Sequence, residues 1–255
     1  MTPRGRKIIQ SLFVIVLLVS ACATTGTSPE DKKKADAARN LGEAHLREGN
    51  LPVALRELIK AQKLNPNDAV VYNDLGLVYM AKERPDVAVE EFRKALKLNP
   101  DYSLAKNNLG SAYLVLKEWD KAIPVLEDVT GDLLYATPHF PLANLGWAYY
   151  NKGDYGKAEK YLTEALDLEP EFLVAKVNLG RTYLATGRLH EALNLFEEAA
   201  KTNPRDPALL YEMGKTYRLL GNYNNAILAL KGAIEYAEDS DLAVKAADEL
   251  KKVYQ

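Results

Sequence analysis

A two-residue signature recurs along this chain at a nearly constant interval, and that interval constrains the fold more than any other feature. Leu41-Gly42, Leu75-Gly76, Leu109-Gly110, Leu145-Gly146, Leu179-Gly180 and Met213-Gly214 follow one another at spacings of 34, 34, 36, 34 and 34 residues. Twelve residues after each glycine stands an alanine: Ala54, Ala88, Ala122, Ala158, Ala192 and Ala226. Three residues after each glycine comes Tyr79, Tyr113, Tyr149, Tyr183 or Tyr217, with His45 in the first unit. Four residues after each alanine comes Leu58, Phe92, Leu126, Leu162, Phe196 or Leu230. A period of this length is one supersecondary unit repeated, and such units stack because none can bury its apolar face alone.

Each unit reads as two helices. Apolar residues recur at intervals of three and four, as a helix face demands. Turn-forming stretches such as "REGN", "NKGD" and "ATGR" split each unit in the middle. Pro52 and Pro85 fall at the start of second helices, where a missing N–H costs little. Pro66, Pro100, Pro170 and Pro204 close units, since the residue before a proline avoids the helical region. The glycine and its paired alanine leave room for the two helices to cross closely.

This pattern resembles the tetratricopeptide repeat over residues 35–238. The resemblance implies an all-α, right-handed superhelical solenoid of six helix-turn-helix repeats: 35–68, 69–102, 103–138, 139–172, 173–206 and 207–238. Residues 239–255 read as a C-terminal capping helix. Leu242, Ala246, Leu250 and Val253 make its apolar stripe, with Lys245, Glu249 and Lys252 expected to lie away from it.

The N-terminus has a different character. Arg4, Arg6 and Lys7 precede an apolar stretch, Leu12 to Val19, and then Ser20-Ala21-Cys22. The stretch is too short for a spanning helix, which needs about 20 apolar residues. "VSAC" resembles the lipobox of bacterial lipoproteins, which implies removal of residues 1–21 as a signal peptide and acylation of Cys22. The alternative is cleavage near Ala21 to release a soluble protein. By the same resemblance, Ala23 after the cysteine favours an outer-membrane anchor facing the periplasm. More than one acyl chain is needed for stable anchoring, and lipoproteins of this type carry three. Cys22 is the only cysteine, so no intramolecular disulfide can form. Residues 22–34 read as a lipidated, solvated tether, about 20 Å long on average.

Loss of residues 1–21 removes three positive charges and leaves 30 basic against 35 acidic side chains, about −5. That balance argues against nucleic acid, which calls for a basic stripe. No catalytic constellation can be read either. His45 takes the packing position of the repeat tyrosine, His139 falls in a loop, and His190 begins a second helix. No HExxH motif, phosphate-cradling loop or metal-ligand cluster is present in the pattern. No enzyme activity, cofactor or metal is expected.

In arrays of this family the first helix of each repeat lines a concave groove, with positions 2, 5, 9 and 12 pointing inward. The resemblance then gives Val70, Asn73, Leu77 and Met80 in the second repeat, and Leu104, Asn107 and Leu114 in the third. The fourth offers Phe140, Trp147 and Tyr150, and the fifth Val174, Val177 and Leu184. Such a strip suits an apolar or amphipathic protein segment, although positions 9 and 12 can equally pack against the next repeat. Position 6 holds Asn40, Asp74, Asn108, Asn144, Asn178 and Glu212. An amide at this place can bind a peptide backbone, or it can simply be common in the repeat.

A lipobox, a short tether and six such repeats resemble the type IV pilus biogenesis lipoproteins called pilotins. The irregular third junction adds to the likeness through "DLLYATPHFPLANLGWAYYNKGDYGKAEKYLTEAL". What this implies is a protein partner, the outer-membrane secretin, delivered to and assembled at the membrane. A general envelope scaffold for polysaccharide export or cell-wall synthesis is the alternative.

Overall fold

The computed structural model describes residues 27–132, 135–238 and 240–254. Residues 1–21, Cys22 and the first part of the expected tether lie outside the described residues. Thirteen helices are found among the described residues, and no strand. Hairpins pair α1 (Pro29–Arg47) with α2 (Leu51–Leu64), α3 (Ala69–Ala81) with α4 (Pro85–Leu98), and α5 (Ser103–Val115) with α6 (Trp119–Thr130). They continue with α7 (His139–Asn151) and α8 (Tyr155–Leu168), α9 (Leu173–Ala185) and α10 (Leu189–Thr202), and α11 (Pro207–Leu219) and α12 (Tyr223–Ala237). The last helix, α13 (Asp241–Lys251), packs on the sixth hairpin.

The repeated glycine has one physical job. A Cβ at Gly76, Gly110 or Gly146 would stand 2.4 Å from Phe92, Leu126 or Leu162 respectively. Those side chains and their counterparts Leu58, Phe196 and Leu230 are fully buried. The glycine therefore makes the space into which the large residue of the second helix inserts, and the paired alanine, also fully buried, closes the crossing. Successive first helices touch one another, from α1 through α11 and on to α13, whereas second helices do not. The stack consequently curves with its first helices on the inner side.

Hairpin turns need one left-handed residue. Gly49, Gly153, Gly187 and Gly221 supply it with φ between 74° and 79°. The second and third repeats place Glu83 (φ 57°) and Lys117 (φ 59°) there instead. A left-handed non-glycine residue costs about 1–2 kcal/mol, partly offset by the extra entropy glycine loses on folding. Glu83→Gly and Lys117→Gly are each expected to raise the thermal midpoint by about 1–3 °C, checked by calorimetry; a lowered midpoint in both would refute the strain.

Two expectations from sequence need correction at the ends. The tether does not extend to residue 34, because α1 begins at Pro29. Ser28 caps it by accepting from the Asp31 N–H, Pro29 presets the first turn, and Glu30 pairs with Lys34 at 2.7 Å. At the other end Ala246 is buried in the cap with Leu230 and Ala233, and Leu250 and Val253 pack beside it. Glu249, however, is 4% exposed, and the Arg218 Nε donates to its Oε1 at 2.6 Å. It is part of the contact, not of the solvated face. His139 is likewise not a loop residue but the first of α7.

The third junction folds back on its own repeat. α6 ends at Thr130, two residues shorter than α4 or α8. Ser103 at the start of α5 then donates from its hydroxyl to the Asp132 carboxylate.

Candidate interaction surfaces

The inner side of the stack carries the residues expected to line a groove, but only some of them present a surface. Leu104, Phe140 and Val174, at position 2 of their repeats, are 41%, 43% and 51% exposed. Val70 and Val177 are half-buried. Leu77, Met80, Trp147 and Tyr150 are half-buried against the central core, and Leu184 packs against the core of repeats five and six. Asn73, Asn107, Asn178 and Leu114 are buried and belong to the interior, so a client does not reach them. In repeats two and three position 5 is covered because successive first helices approach closely on the inside of the curve.

The asparagines form a seam between repeats. Asn108 donates from Nδ2 to Asn73 Oδ1 at 2.8 Å, and Asn144 donates to Asn107 Oδ1 at 3.2 Å and Ser111 Oγ at 3.0 Å. Further along, Arg181 donates to Glu212 Oε1 at 2.9 Å and to Asn178 Oδ1 at 3.3 Å. Each link except Arg181 to Asn178, which lies within α9, crosses from one first helix to the next, with its partner buried or half-buried. A net hydrogen bond is worth about 1 kcal/mol, but a mispaired buried amide costs more, so the seam fixes the register of neighbouring repeats. The amide donors of Asn108 and Asn144 are thus engaged within the protein.

At the centre of the groove, Trp147 and Tyr150 stack at 5.3 Å with an interplanar angle of 12°. The Arg181 guanidinium stands 5.5 Å from the Trp147 ring, a cation–π contact within the attractive range. Phe140 meets Phe172 edge-on at 5.2 Å. Beside this platform a cleft of about 230 Å³ opens between α9 and α11, lined by Val174, Val177, Arg181 and Leu209. Aromatic anchors next to an apolar cleft, with a guanidinium at its edge, suit an amphipathic segment.

A larger opening was not anticipated from sequence. On the outer side of α2 an open cleft of about 660 Å³ is floored by Leu55, Ile59 and Leu64. The signal for it lay in Ile59, which stands where every other repeat carries a polar residue or threonine. Among the described residues no cluster of three or more His, Cys, Asp or Glu side chains could hold a metal, and no helix is long and apolar enough to cross a membrane.

The sequence matches the tetratricopeptide repeat over residues 73–132 and 177–243, and a second form of the same repeat over 140–172. The chain belongs to the tetratricopeptide repeat family. Members of this family are protein-binding scaffolds and are typically non-catalytic. Among solved structures, the chain is similar to PilW, a widely conserved type IV pilus biogenesis factor, at 24% identity. That match covers 87% of this chain and 98% of PilW, with a TM-score of 0.76. PilF of Pseudomonas aeruginosa is 20% identical, with 86% and 99% of the two chains covered and a TM-score of 0.74. The APC/C subunit assembly Cut9–Hcn1 gives a TM-score of 0.79 at 19% identity, but only 43% of that chain is covered. At these identities the likeness is one of fold. No curated protein sequence matches the chain.

Position 6 holds an amide in four repeats and a carboxyl in two, Asp74 and Glu212, the latter paired with Arg181. Asp74 stands in phase with Asn108, Asn144 and Asn178, and it is 6% exposed. Burial, then the nearby Glu43 carboxylate, push its pKa up to about 7, against a lowering hydrogen bond from Asn73. The folded carboxyl holds its proton where the unfolded one has lost it. Its ionisation therefore costs nothing below about pH 4 and weakens the fold increasingly as pH rises through 7. Asp74→Asn is expected to raise the thermal midpoint by about 2–4 °C at pH 8 and to leave it unchanged at pH 4. An equal shift at both pH values would contradict the buried ionisation.

Proposed function

We propose that this protein is a membrane-anchored scaffold without catalytic activity that holds a protein client and delivers it to the outer membrane. The client in this reading is the secretin of the type IV pilus machinery. The observation that carries it is the extent of the correspondence: the match to PilW, a type IV pilus biogenesis factor, covers 87% of this chain and 98% of PilW. The lipobox at Cys22 supports the same reading from an independent part of the sequence. Acylation there would hold the solenoid at the periplasmic side of the outer membrane and raise the local concentration of its client near the bilayer. The platform of Trp147, Tyr150 and Arg181, with the cleft at Val174 and Val177, would cover an apolar client segment until assembly.

Deletion of the gene tests this in cells. Heat-resistant secretin multimers are expected to disappear from blots, with monomer remaining and twitching lost. Unchanged multimers and motility would sink the assignment.

A further inference from the structure

The outer face of α2 departs from its counterparts in polarity. Five residues after the hairpin alanine, the other second helices carry Arg93, Glu127, Thr163, Glu197 and Lys231. Three of these bond to the tyrosine of the following repeat: Arg93 to Tyr113 at 2.8 Å, Glu127 to Tyr149 at 2.8 Å and Glu197 to Tyr217 at 2.7 Å. In the first repeat that phase holds Ile59, which with Leu55 and Leu64 floors the 660 Å³ cleft. Arg56, Lys60 and Lys63 line the same cleft, the first two within 3.1 and 3.9 Å of Glu57. The corresponding stretch of α4 is also basic, with Lys94 and Lys97, but carries Arg93 in place of the apolar Ile59, whereas α8 and α10 carry Glu164, Glu197 and Glu198. The basic face continues onto α1, where Lys32, Lys33 and Lys34 are exposed.

This face is also where the described chain begins. Thr27 donates from Oγ1 to Asn65 Oδ1 at 3.1 Å, at the C-terminal end of α2. Cys22 is five residues upstream, so its sulfur can be no farther from Thr27 than about 18 Å of extended chain. An apolar floor with a lysine and arginine rim is the composition that settles into the headgroup region of an anionic bilayer.

We infer that the outer face of α2 docks on the membrane, its apolar floor entering the headgroup region and its rim meeting anionic phospholipids. The inference rests on the acylation of Cys22 proposed above. A short tether alone leaves the solenoid free to rotate. Docking fixes the first repeat against the lipid and holds the cleft of repeats five and six at the far end, open to a client.

The test uses the full acylated chain in vesicles containing phosphatidylglycerol and brominated acyl chains. Once the Cys22 sulfur is in its thioether, an introduced cysteine is the only thiol. A fluorophore is placed on Gln62→Cys, on the stripe of Leu55 and Ile59, or on Lys231→Cys in α12 as the distant control. Quenching at position 62 is expected to exceed that at 231 by about three-fold or more. The excess should vanish when Lys60→Glu and Lys63→Glu are added, or in purely zwitterionic vesicles. Equal quenching at both positions, in protein that carries the acyl mass and floats with the vesicles, overturns the docking and leaves the anchor standing. Shielding of position 62 from iodide without lipid quenching means that a protein covers the face, and also overturns it. Absence of acyl mass on Cys22 overturns the anchor and the docking together.

Discussion

Phe92→Ala is expected to destabilise the solenoid by about 3–5 kcal/mol, the largest effect of any single substitution considered. The ring is fully buried and fills the hollow that Gly76 leaves in α3. Removing it deletes buried surface and leaves a cavity that two close-packed helices cannot collapse. The converse change, Gly76→Ala, adds a methyl 2.4 Å from the Phe92 ring and is expected to cost about 1–3 kcal/mol through overpacking. The two substitutions should not add. In the double variant the new methyl enters the space vacated by the ring, so its loss should fall below the sum of the singles by about 1 kcal/mol or more. Denaturant unfolding of the four proteins measures this directly. Since each repeat is supported only by its neighbours, hydrogen exchange should quicken first in α3 to α5. Strict additivity would mean that glycine and phenylalanine are not one interlocked unit.

Trp147→Ala with Tyr150→Ala is expected to weaken client binding by at least about 2 kcal/mol, roughly thirty-fold in Kd. The two rings stack on each other, one face of the pair meets Arg181, and both sit at the centre of the inner surface. Truncation removes the apolar platform and leaves the guanidinium without its aromatic face. Both residues also pack against the core, so binding must be compared at a temperature where circular dichroism shows the variant folded. Tyr223→Ala serves as control, because Tyr223 is 55% exposed at the start of a second helix, away from the inner side. Equal affinity of wild type and the double variant would remove the groove centre from the client site.

The fold was legible because its determinants are periodic. A glycine, an alanine and a large apolar residue at fixed phase define a helix crossing, and six copies leave little freedom in how the chain stacks. The groove was less legible because phase says which way a residue points, not how close the next helix comes. Asn73 and Asn107 point toward the inner side but are covered where first helices touch. Leu104 and Val174 share that side and stay exposed because position 2 lies at the edge of the contact. Charge partners across repeats were the hardest to foresee. Glu249 has the spacing of a solvated cap residue, yet Arg218, 31 positions earlier, reaches it across the last hairpin. The start of α1 was misplaced for a local reason: "SPEDKKK" is polar enough to read as tether, yet it holds a serine cap, a proline and an i,i+4 ion pair.

The central claim, a groove that holds a secretin during assembly, is tested most directly by a photo-crosslinking amino acid at position 147 in the living cell. Irradiation is expected to give an adduct between this protein and monomeric secretin, lost when the same group is placed at Tyr223. Adducts only with polysaccharide-export or cell-wall proteins, and none with secretin in a cell making both, would contradict it.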